Sequence, residues 1–530
     1  MKKTNIIILF TGLMGFSCSD FLKEEPKDEL SAGQFFSSPN NANAAVNSLY
    51  RTGAPQLYDG GVYSGAEAML GNYMSGFFDN IYKGQEVQVQ NAQQLTLNGT
   101  NIATYLEGMW GDLYRGISRA NNAIINIPTT PNLAEADAKR LMAEARFFRA
   151  YGYYYLVRLF GPVPIVTQPF ESLEGLYVGR NSVKEVYTLI EEDLKYAVNE
   201  GGLPTTSMAS NGKRITQGTA AMLLSEVYLT MSGFPLQENR YADAAAMAKS
   251  VISSGTYSLT PHDRDASGNV VPENSAYNKL RRVDASPNEH LFFREYAVGI
   301  STSPYPQWTY PVTWSNKAPV KYSLTNAAYQ PVAEFLGGYD AANDLRIQEK
   351  QYFHSSVTLP NGTVETFETV PYIWHDDQAV FETASSGKDA PIYSYSDVLL
   401  IVAESIARSQ GVTAEAVDYL AQVRGRAYWK QNATVVKAQL SALSTEAFVE
   451  EVWKERYREL VFEFQLWFDM IRTRKFPETT ATRNGQINYV NLVGHPNHWG
   501  KVIEEKHLLL PIPDTERQRN PGLGDQNPGY

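Results

Sequence analysis

The chain has 530 residues, of which 43% are hydrophobic and 19% charged, an ordinary globular composition that allows a sizeable core. Its formal net charge is −11 and no stripe of Lys and Arg runs along it, which argues against nucleic acid as a partner. A single cysteine, Cys18, excludes an intramolecular disulfide and a cysteine-based zinc cluster. Aromatic residues, 12% of the chain, often lie in stretches rich in Gly, Asn, Ser and Pro, which makes them candidates for ligand contact.

The N-terminus has the pattern of a lipoprotein signal peptide. A positively charged start precedes the apolar segment 5–14, which is too short to span a bilayer as a helix. Small residues then lead into Cys18, although Gly15 stands where Leu is usual in such a signal. We predict a signal peptide over residues 1–17, acylation of Cys18 and a tether over residues 18–30. The alternative is an ordinary secretory signal cleaved nearby.

Helical periodicity predicts a helical scaffold. One helix is expected from about Glu135 to Phe160, ending where the sequence Gly161-Pro162-Val163-Pro164 prevents continuation. Apolar residues occupy nearly every face of this helix, so we expect the helix to be buried. Further packed helices are predicted over Val183 to Val198, Thr216 to Met231 and Ala242 to Ile252.

Two helix pairs have the residue spacing of tetratricopeptide repeats. In such repeats, large and small residues at fixed intervals form the seam between consecutive helices. The residues that match are Ala221, Leu224, Ser225 and Tyr228 with Ala244, Ala248 and Val251, and Leu399, Val402, Ala403 and Ile406 with Ala416, Leu420 and Val423. We therefore predict a mostly α fold, a tetratricopeptide-like helical solenoid.

Two segments, 52–101 and 258–391, lack this periodicity and are rich in Pro, Gly, Asn and aromatic residues. Short strands such as Glu289 to Tyr296 are the only regular structure expected in them. Irregular segments of this length are unusual in a compact domain and are commonly functional. We predict that residues 31–530 form a single domain and that the two inserts form its ligand face.

Several sequence blocks, in this order, resemble the SusD/RagB family of Bacteroidetes surface nutrient-binding lipoproteins. They are CSDFL from Cys18, AEARFFRAYGYYYLVRLFGPVP from Ala143, RNSVKEVYTLIEEDLKYAV from Arg180, TQGTAAMLLSEVYLTMSG from Thr216, YSYSDVLLIVAES from Tyr393, VWKERYRELVFEFQLWFDMIR from Val452 and LLLPIPDTERQRNPGLGDQNPGY from Leu508. The resemblance covers nearly the whole mature chain. It implies a lipid-anchored protein of the cell outer membrane, facing the exterior, that hands a nutrient to a SusC-like TonB-dependent barrel.

Two aromatic clusters are the predicted ligand contacts, because sugar rings present C–H faces on which Trp and Tyr can lie flat. The cluster in segment 258–391 alternates with prolines and consists of Tyr305, Trp308, Tyr310 and Trp314. The cluster in segment 52–101 includes Tyr73, Phe78, Asp79 and Tyr82, and is placed only by region, where the starch-binding member of the family contacts sugar. For each ring the alternative is packing against the helices.

No hydrolase or phosphate-binding motif is visible, although the sequence neither places nor excludes the pair of carboxylates that glycoside hydrolysis requires. His495 and His498 flank a proline, and residues 340–344 lack the glycine of a calcium loop, so we expect no metal and no cofactor. The charges of segment 452–472 are expected to form salt bridges rather than a catalytic set. The favoured function is non-catalytic glycan binding. The alternatives are a peptide-binding lipoprotein, as the RagB branch implies, an interaction scaffold without its own ligand, and a glycan-cleaving enzyme.

Overall fold

The computed structural model describes residues 35–61, 63–169, 175–282 and 287–530. The predicted signal peptide, Cys18 and the tether up to residue 30 lie outside the described residues. Helices dominate the described part, and none of them is long and apolar enough to cross a membrane.

The helices have the following bounds. They are α1 Pro39–Leu49, α2 Leu70–Ser75, α3 Val87–Gln94, α4 Ala103–Asn126, α5 Glu135–Phe160, α6 Val183–Asn199, α7 Gln217–Ser232, α8 Tyr241–Ser253, α9 Ala276–Leu280, α10 Ala333–Gly337, α11 Tyr395–Gln410, α12 Ala414–Ala427, α13 Ala433–Ser441, α14 Thr445–Glu459, α15 Leu466–Thr473 and α16 Asp514–Arg519.

The strands are short and form two-stranded antiparallel sheets. They are β1 Gly60–Gly61, β2 Gly65–Ala66, β3 Phe78–Asp79, β4 His290–Arg294, β5 Gln330–Pro331, β6 Phe353–Thr358, β7 Val364–Pro371, β8 Ala390–Ser394, β9 Lys475–Glu478 and β10 Asn488–Asn491. The pairs are β1 with β2, β3 with β5, β4 with β8, β6 with β7, and β9 with β10.

Helix α5 is the centre of the frame and has the predicted bounds. Nearly every side chain from Ala143 to Phe160 is buried, as its all-round apolar sequence requires. The helix ends at Gly161, which has a φ of 73° and where an added Cβ would lie 2.9 Å from the Leu509 side chain. Glycine is therefore needed at this position for both its backbone conformation and its small size.

The predicted tetratricopeptide-like pairs are confirmed. Helix α7 packs on α8, α11 packs on α12, and α8 packs on α11, so the two pairs stack in succession. The seam residues predicted from the spacing, among them Leu224, Ala248, Val402 and Leu420, are buried. The fold is therefore mostly helical and tetratricopeptide-like, with few short strands. The prediction that short strands are the only regular structure of the inserts is wrong, because the inserts also contain the short helices α2, α3, α9 and α10.

The two inserts pack against each other. Phe78 and Asp79 of β3, in the first insert, pair with Pro331 and Gln330 of β5 in the second. The predicted strand from Glu289 to Tyr296 is present as the shorter β4. A single ladder thus joins segments that are some 250 residues apart in the chain and fixes the surface they build together.

A buried ion cluster ties the second insert to the helical frame. The Arg346 guanidinium lies 2.7 Å from Asp344, 2.8 Å from Glu455 and 2.7 Å from Glu459, and all four side chains are almost completely buried. The charged residues of segment 452–472 form salt bridges that do not stay within one helix. Many instead reach other elements, as Arg472 does in binding Glu404 of α11, because this segment is enclosed on several sides.

Candidate ligand-binding surface

The rings predicted as platforms in the second insert lie inside the protein. Trp308 has no exposed surface and Tyr305 has 2%. The Trp308 ring packs edge-on against Tyr305 at 4.8 Å and against Trp374 at 5.8 Å between centroids. The Tyr305 hydroxyl donates a hydrogen bond to the Tyr58 carbonyl oxygen at 2.9 Å. Both rings act as core residues in this conformation.

Tyr310 and Trp314 are also buried, in a smaller core of their own. Their centroids are 5.6 Å apart, and both rings contact Phe367. The Lys317 ammonium lies 4.1 Å from the centroid of the Trp314 ring. Because protein atoms cover these rings, a ligand would reach them only after the insert opened, and their predicted contact with ligand stays a prediction.

The first-insert cluster is divided between the core and the surface. Tyr73 and Phe78 are buried: the Tyr73 hydroxyl donates to the carbonyl oxygen of Ala328, and the Phe78 ring stacks on Tyr329 with centroids 3.8 Å apart. They hold the second insert in place. Asp79 and Tyr82, by contrast, reach the surface.

Asp79 and Tyr82 lie beside further polar and aromatic groups. The Asp79 carboxylate, partly exposed, binds the Lys83 ammonium at 2.7 Å and accepts a hydrogen bond from Gln93 at 2.8 Å. The Tyr82 ring meets Tyr63 edge-on, with centroids 4.9 Å apart, and Tyr63 is 43% exposed. Partial burial and, to a smaller extent, the neighbouring Tyr63 raise the pKa of Tyr82 above its usual value. The hydroxyl, protonated at neutral pH in any case, can donate a hydrogen bond.

Buried asparagines fix the position of Tyr63. The Asn80 side chain donates to the Tyr63 carbonyl oxygen at 2.7 Å and accepts from the Tyr82 backbone N–H at 2.9 Å. Asn326, from the second insert, donates to the same Tyr63 carbonyl at 2.9 Å. Both inserts therefore fix the backbone that carries this exposed ring, which lowers the cost of ordering the segment when a ligand binds.

A loop near the C-terminus adds a tryptophan to this surface. The Lys83 ammonium lies 4.2 Å from the centroid of the half-buried Trp499 ring. Asn497, itself buried, donates to the carbonyl oxygens of Met74 and Gln93 at 3.1 and 2.8 Å, and accepts from the Trp499 backbone N–H at 3.0 Å. We call the group formed by Tyr63, Asp79, Tyr82, Lys83 and Trp499 the ring patch.

The ring patch contains two residues that the sequence predicted, Asp79 and Tyr82, and two rings that it missed, Tyr63 and Trp499. The missed rings lie in GGVYSG and in HPNHWG, short segments rich in Gly, Pro and Asn. The same composition distinguishes the two inserts, so it could also have marked these two segments as candidates for ligand contact. What could not be seen is that the HPNHWG loop folds onto the first insert.

The histidines of that loop pair with carboxylates. His498 lies 3.2 Å from Glu334 and His495 lies 3.5 Å from Glu478. Within the described ranges, no group of three or more His, Cys, Asp or Glu side chains could hold a metal ion. The patch thus offers aromatic faces and a balanced Asp79–Lys83 pair, an arrangement suited to an uncharged ligand rich in hydroxyl groups.

Comparison with known proteins identifies the family. Residues 288–530 match the model of the SusD family, and residues 20–229 match a model described as starch-binding associating with outer membrane. A SusD superfamily protein from Parabacteroides distasonis has a crystal structure that is 30% identical, with a TM-score of 0.78 over 95% of this chain and 100% of that one. SusD-like protein P2 of Formosa agariphila is 27% identical over the whole of both chains.

A more distant structure shares the fold. Surface glycan-binding protein A from Bacteroides thetaiotaomicron, solved in complex with laminarihexaose, is 18% identical, with a TM-score of 0.68 over 92% of this chain and 99% of that one. The family models together account for most of the chain, and the relative from P. distasonis matches along nearly all of it. The chain belongs to the SusD family.

Proposed function

We propose that this protein is a non-catalytic glycan-binding lipoprotein of the cell surface. The observation that carries the proposal is the ring patch, where the Tyr63 and Tyr82 rings meet edge-on and Trp499 lies beside Lys83. Buried asparagines hold the backbone of all three aromatic residues. Exposed aromatic faces beside a few fixed polar groups suit the C–H faces and edge hydroxyls of sugars. The laminarihexaose complex of a structural relative and the starch-binding description of the matched family support the same ligand class.

The ring patch, rather than the buried rings of the second insert, is the proposed first contact with glycan. Trp308 and Trp314 would lose packing within the core if they turned outward, whereas Tyr63 and Tyr82 reach solvent already. The buried rings then act as support: Phe78 stacks on Tyr329, and Tyr329 contacts Trp374. This support reaches the patch because Phe78 and Asp79 are adjacent in β3.

The proposal includes an anchor and a partner. Acylation of Cys18 would hold the protein at the outer membrane, since multiple acyl chains give stable attachment where one chain alone is marginal. The family resemblance supports delivery of the captured glycan to a SusC-like TonB-dependent barrel, with the helical frame as the surface that packs on it.

Calorimetric titration of the mature protein with soluble polysaccharides, including laminarin and starch, and with a set of peptides tests the proposal. We expect binding to at least one neutral glycan and no shortening of that glycan during prolonged incubation. Binding of peptides instead would favour the RagB-like alternative. Release of shorter sugars would show catalysis, and no binding to any glycan or peptide would favour a scaffold.

A further inference from the structure

A cavity of about 570 Å³ lies in the helical frame. It is lined by the end of α5, the start of α6, the loop after α7, α15 and the C-terminal tail, and none of its lining residues belongs to the ring patch. Its volume is within the range of sites that hold small molecules. It is therefore a second concave site, separate from the proposed glycan surface.

The wall of this cavity is largely apolar. Val157, Val183, Phe234, Phe468 and Ile471 contribute to it from four different parts of the chain. An oligosaccharide would leave most of its hydroxyl groups without hydrogen-bond partners against such a wall, which is costly. The wall instead suits a hydrocarbon chain or an aromatic ring.

One polar side chain at this cavity lacks a full set of hydrogen-bond partners. Arg158 is 7% exposed, and its guanidinium is held between the rings of Tyr154 and Phe468, 3.7 and 3.9 Å from their centroids. Its Nε donates to the Tyr154 carbonyl oxygen at 3.3 Å and its Nη1 to Glu226 at 3.4 Å. Its Nη2 has no hydrogen-bond partner among the described residues. A buried N–H without a partner is unfavourable, and because Arg158 lines the cavity, a ligand acceptor that its guanidinium turned to meet would satisfy this group.

A second guanidinium at the cavity has the same feature. Arg474 binds Glu505 through Nη2 at 2.8 Å, while its Nη1 is buried without a partner in the described part of the chain. The charged residues that line the cavity are four cations and two carboxylates: Arg158, Arg472, Arg474, Lys506, Glu504 and Glu505. Glu226 pairs with Arg158, and Glu404 and Asp469 pair with Arg472, so the cavity carries no excess of positive charge. A ligand acceptor is favoured instead by the unpartnered N–H groups of Arg158 and Arg474.

We propose that this cavity binds an amphipathic carboxylate, a molecule with an apolar chain or ring and a single carboxyl group. The apolar part lies against Val157, Phe234 and Ile471, and the carboxylate accepts hydrogen bonds from Arg158 and Arg474. Guanidinium groups fit carboxylates because their N–H groups form a planar fork. This site is independent of glycan binding and goes beyond the function proposed above.

Decanoate is the probe for this site, and 1-decanol is its uncharged match. In calorimetric titration of the mature protein we expect one site for decanoate and at least about tenfold weaker binding of 1-decanol, since a hydrogen bond to a charged group is lost. Absence of decanoate binding would overturn the proposal. Equal binding of the alcohol would overturn the role of the two arginines.

Three variants locate the site. Arg474→Gln is expected to weaken decanoate binding about tenfold, and Val183→Trp, which places a large ring at a half-buried lining position, to abolish it. Arg264→Gln removes an exposed arginine outside the cavity and should leave it unchanged. Glycan binding should be the same in all three, which separates this test from that of the proposed function. Unchanged decanoate affinity in both Arg474→Gln and Val183→Trp would contradict the assignment.

Discussion

The ammonium of Lys83 lies 4.2 Å from the centroid of the Trp499 ring, a contact between residues that are more than 400 positions apart. The same lysine binds Asp79 at 2.7 Å, so one side chain links a carboxylate and an aromatic ring at the protein surface. Cation–π contacts of this kind orient a ring at modest energetic gain. The ring patch therefore depends on the docking of the C-terminal loop on the first insert.

Asn497 is expected to maintain that docking. In Asn497→Ala the carbonyl oxygens of Met74 and Gln93 lose their donor, which should lower the free energy of unfolding by about 1–3 kcal/mol. Glycan affinity should also fall, because the Trp499 backbone loses its hydrogen bond to Asn497. Urea unfolding and calorimetry measure the two effects. Asn361→Ala, at an exposed loop position, is the control, and an Asn497→Ala protein equal to wild type in both assays would refute this role.

Trp308 distinguishes packing from ligand contact. Because it is completely buried against Tyr305 and Trp374, Trp308→Ala should lower the free energy of unfolding by about 3–5 kcal/mol. Trp308→Phe keeps an aromatic ring at this position and should bind glycan as wild type does. If Trp308→Phe stayed stable yet lost glycan affinity, that result would support the direct contact between Trp308 and glycan that the sequence predicted. Trp314→Phe provides the same test for the second core.

The sequence predicted the frame well because its signals are local. The apolar run and the Gly-Pro stop define α5, and the seam spacing defines the stacked pairs α7–α8 and α11–α12. The burial of Trp308 and Tyr73 was not predictable in this way. Proline-rich aromatic segments have the same composition whether they line a surface or a core, and the difference depends on the β3–β5 ladder between the two inserts.

Lys388 makes stability depend on pH. Burial, reinforced by the charge of Arg281, lowers its pKa from about 10.5 to about 7. Between these values the unfolded chain binds more protons than the folded one, so stability should rise as the pH increases from 7 to 9, by at most about 1.4 kcal/mol per unit. Urea unfolding of wild type and Lys388→Met at both pH values checks this.

At each pH, the difference in the free energy of unfolding between wild type and Lys388→Met reports the contribution of Lys388 and cancels that of the other titrating groups. Lys388→Met should lack that part of the pH dependence, whereas the exposed control Lys501→Met should retain it. Parallel pH profiles for wild type and Lys388→Met would show that Lys388 stays charged in the folded protein.

Cys18 tests the predicted anchor. Cys18→Ala should move the protein from the outer-membrane fraction to the soluble fraction, because the acyl chains supply the membrane affinity. Fractionation of cells followed by immunoblotting measures this, with the purified soluble variant expected to bind glycan as wild type does. Retention of Cys18→Ala in the membrane fraction would count against lipid attachment at this residue.

The central claim is that the ring patch captures glycan, and calorimetry of one double variant tests it most directly. Tyr82→Ala/Trp499→Ala is titrated with the glycan that binds wild type most tightly, beside Tyr177→Ala, which removes an exposed tyrosine outside the patch. At about 1 kcal/mol for each ring, the double variant should bind roughly thirtyfold more weakly, while Tyr177→Ala should match wild type. An unchanged affinity in the folded double variant would contradict the account.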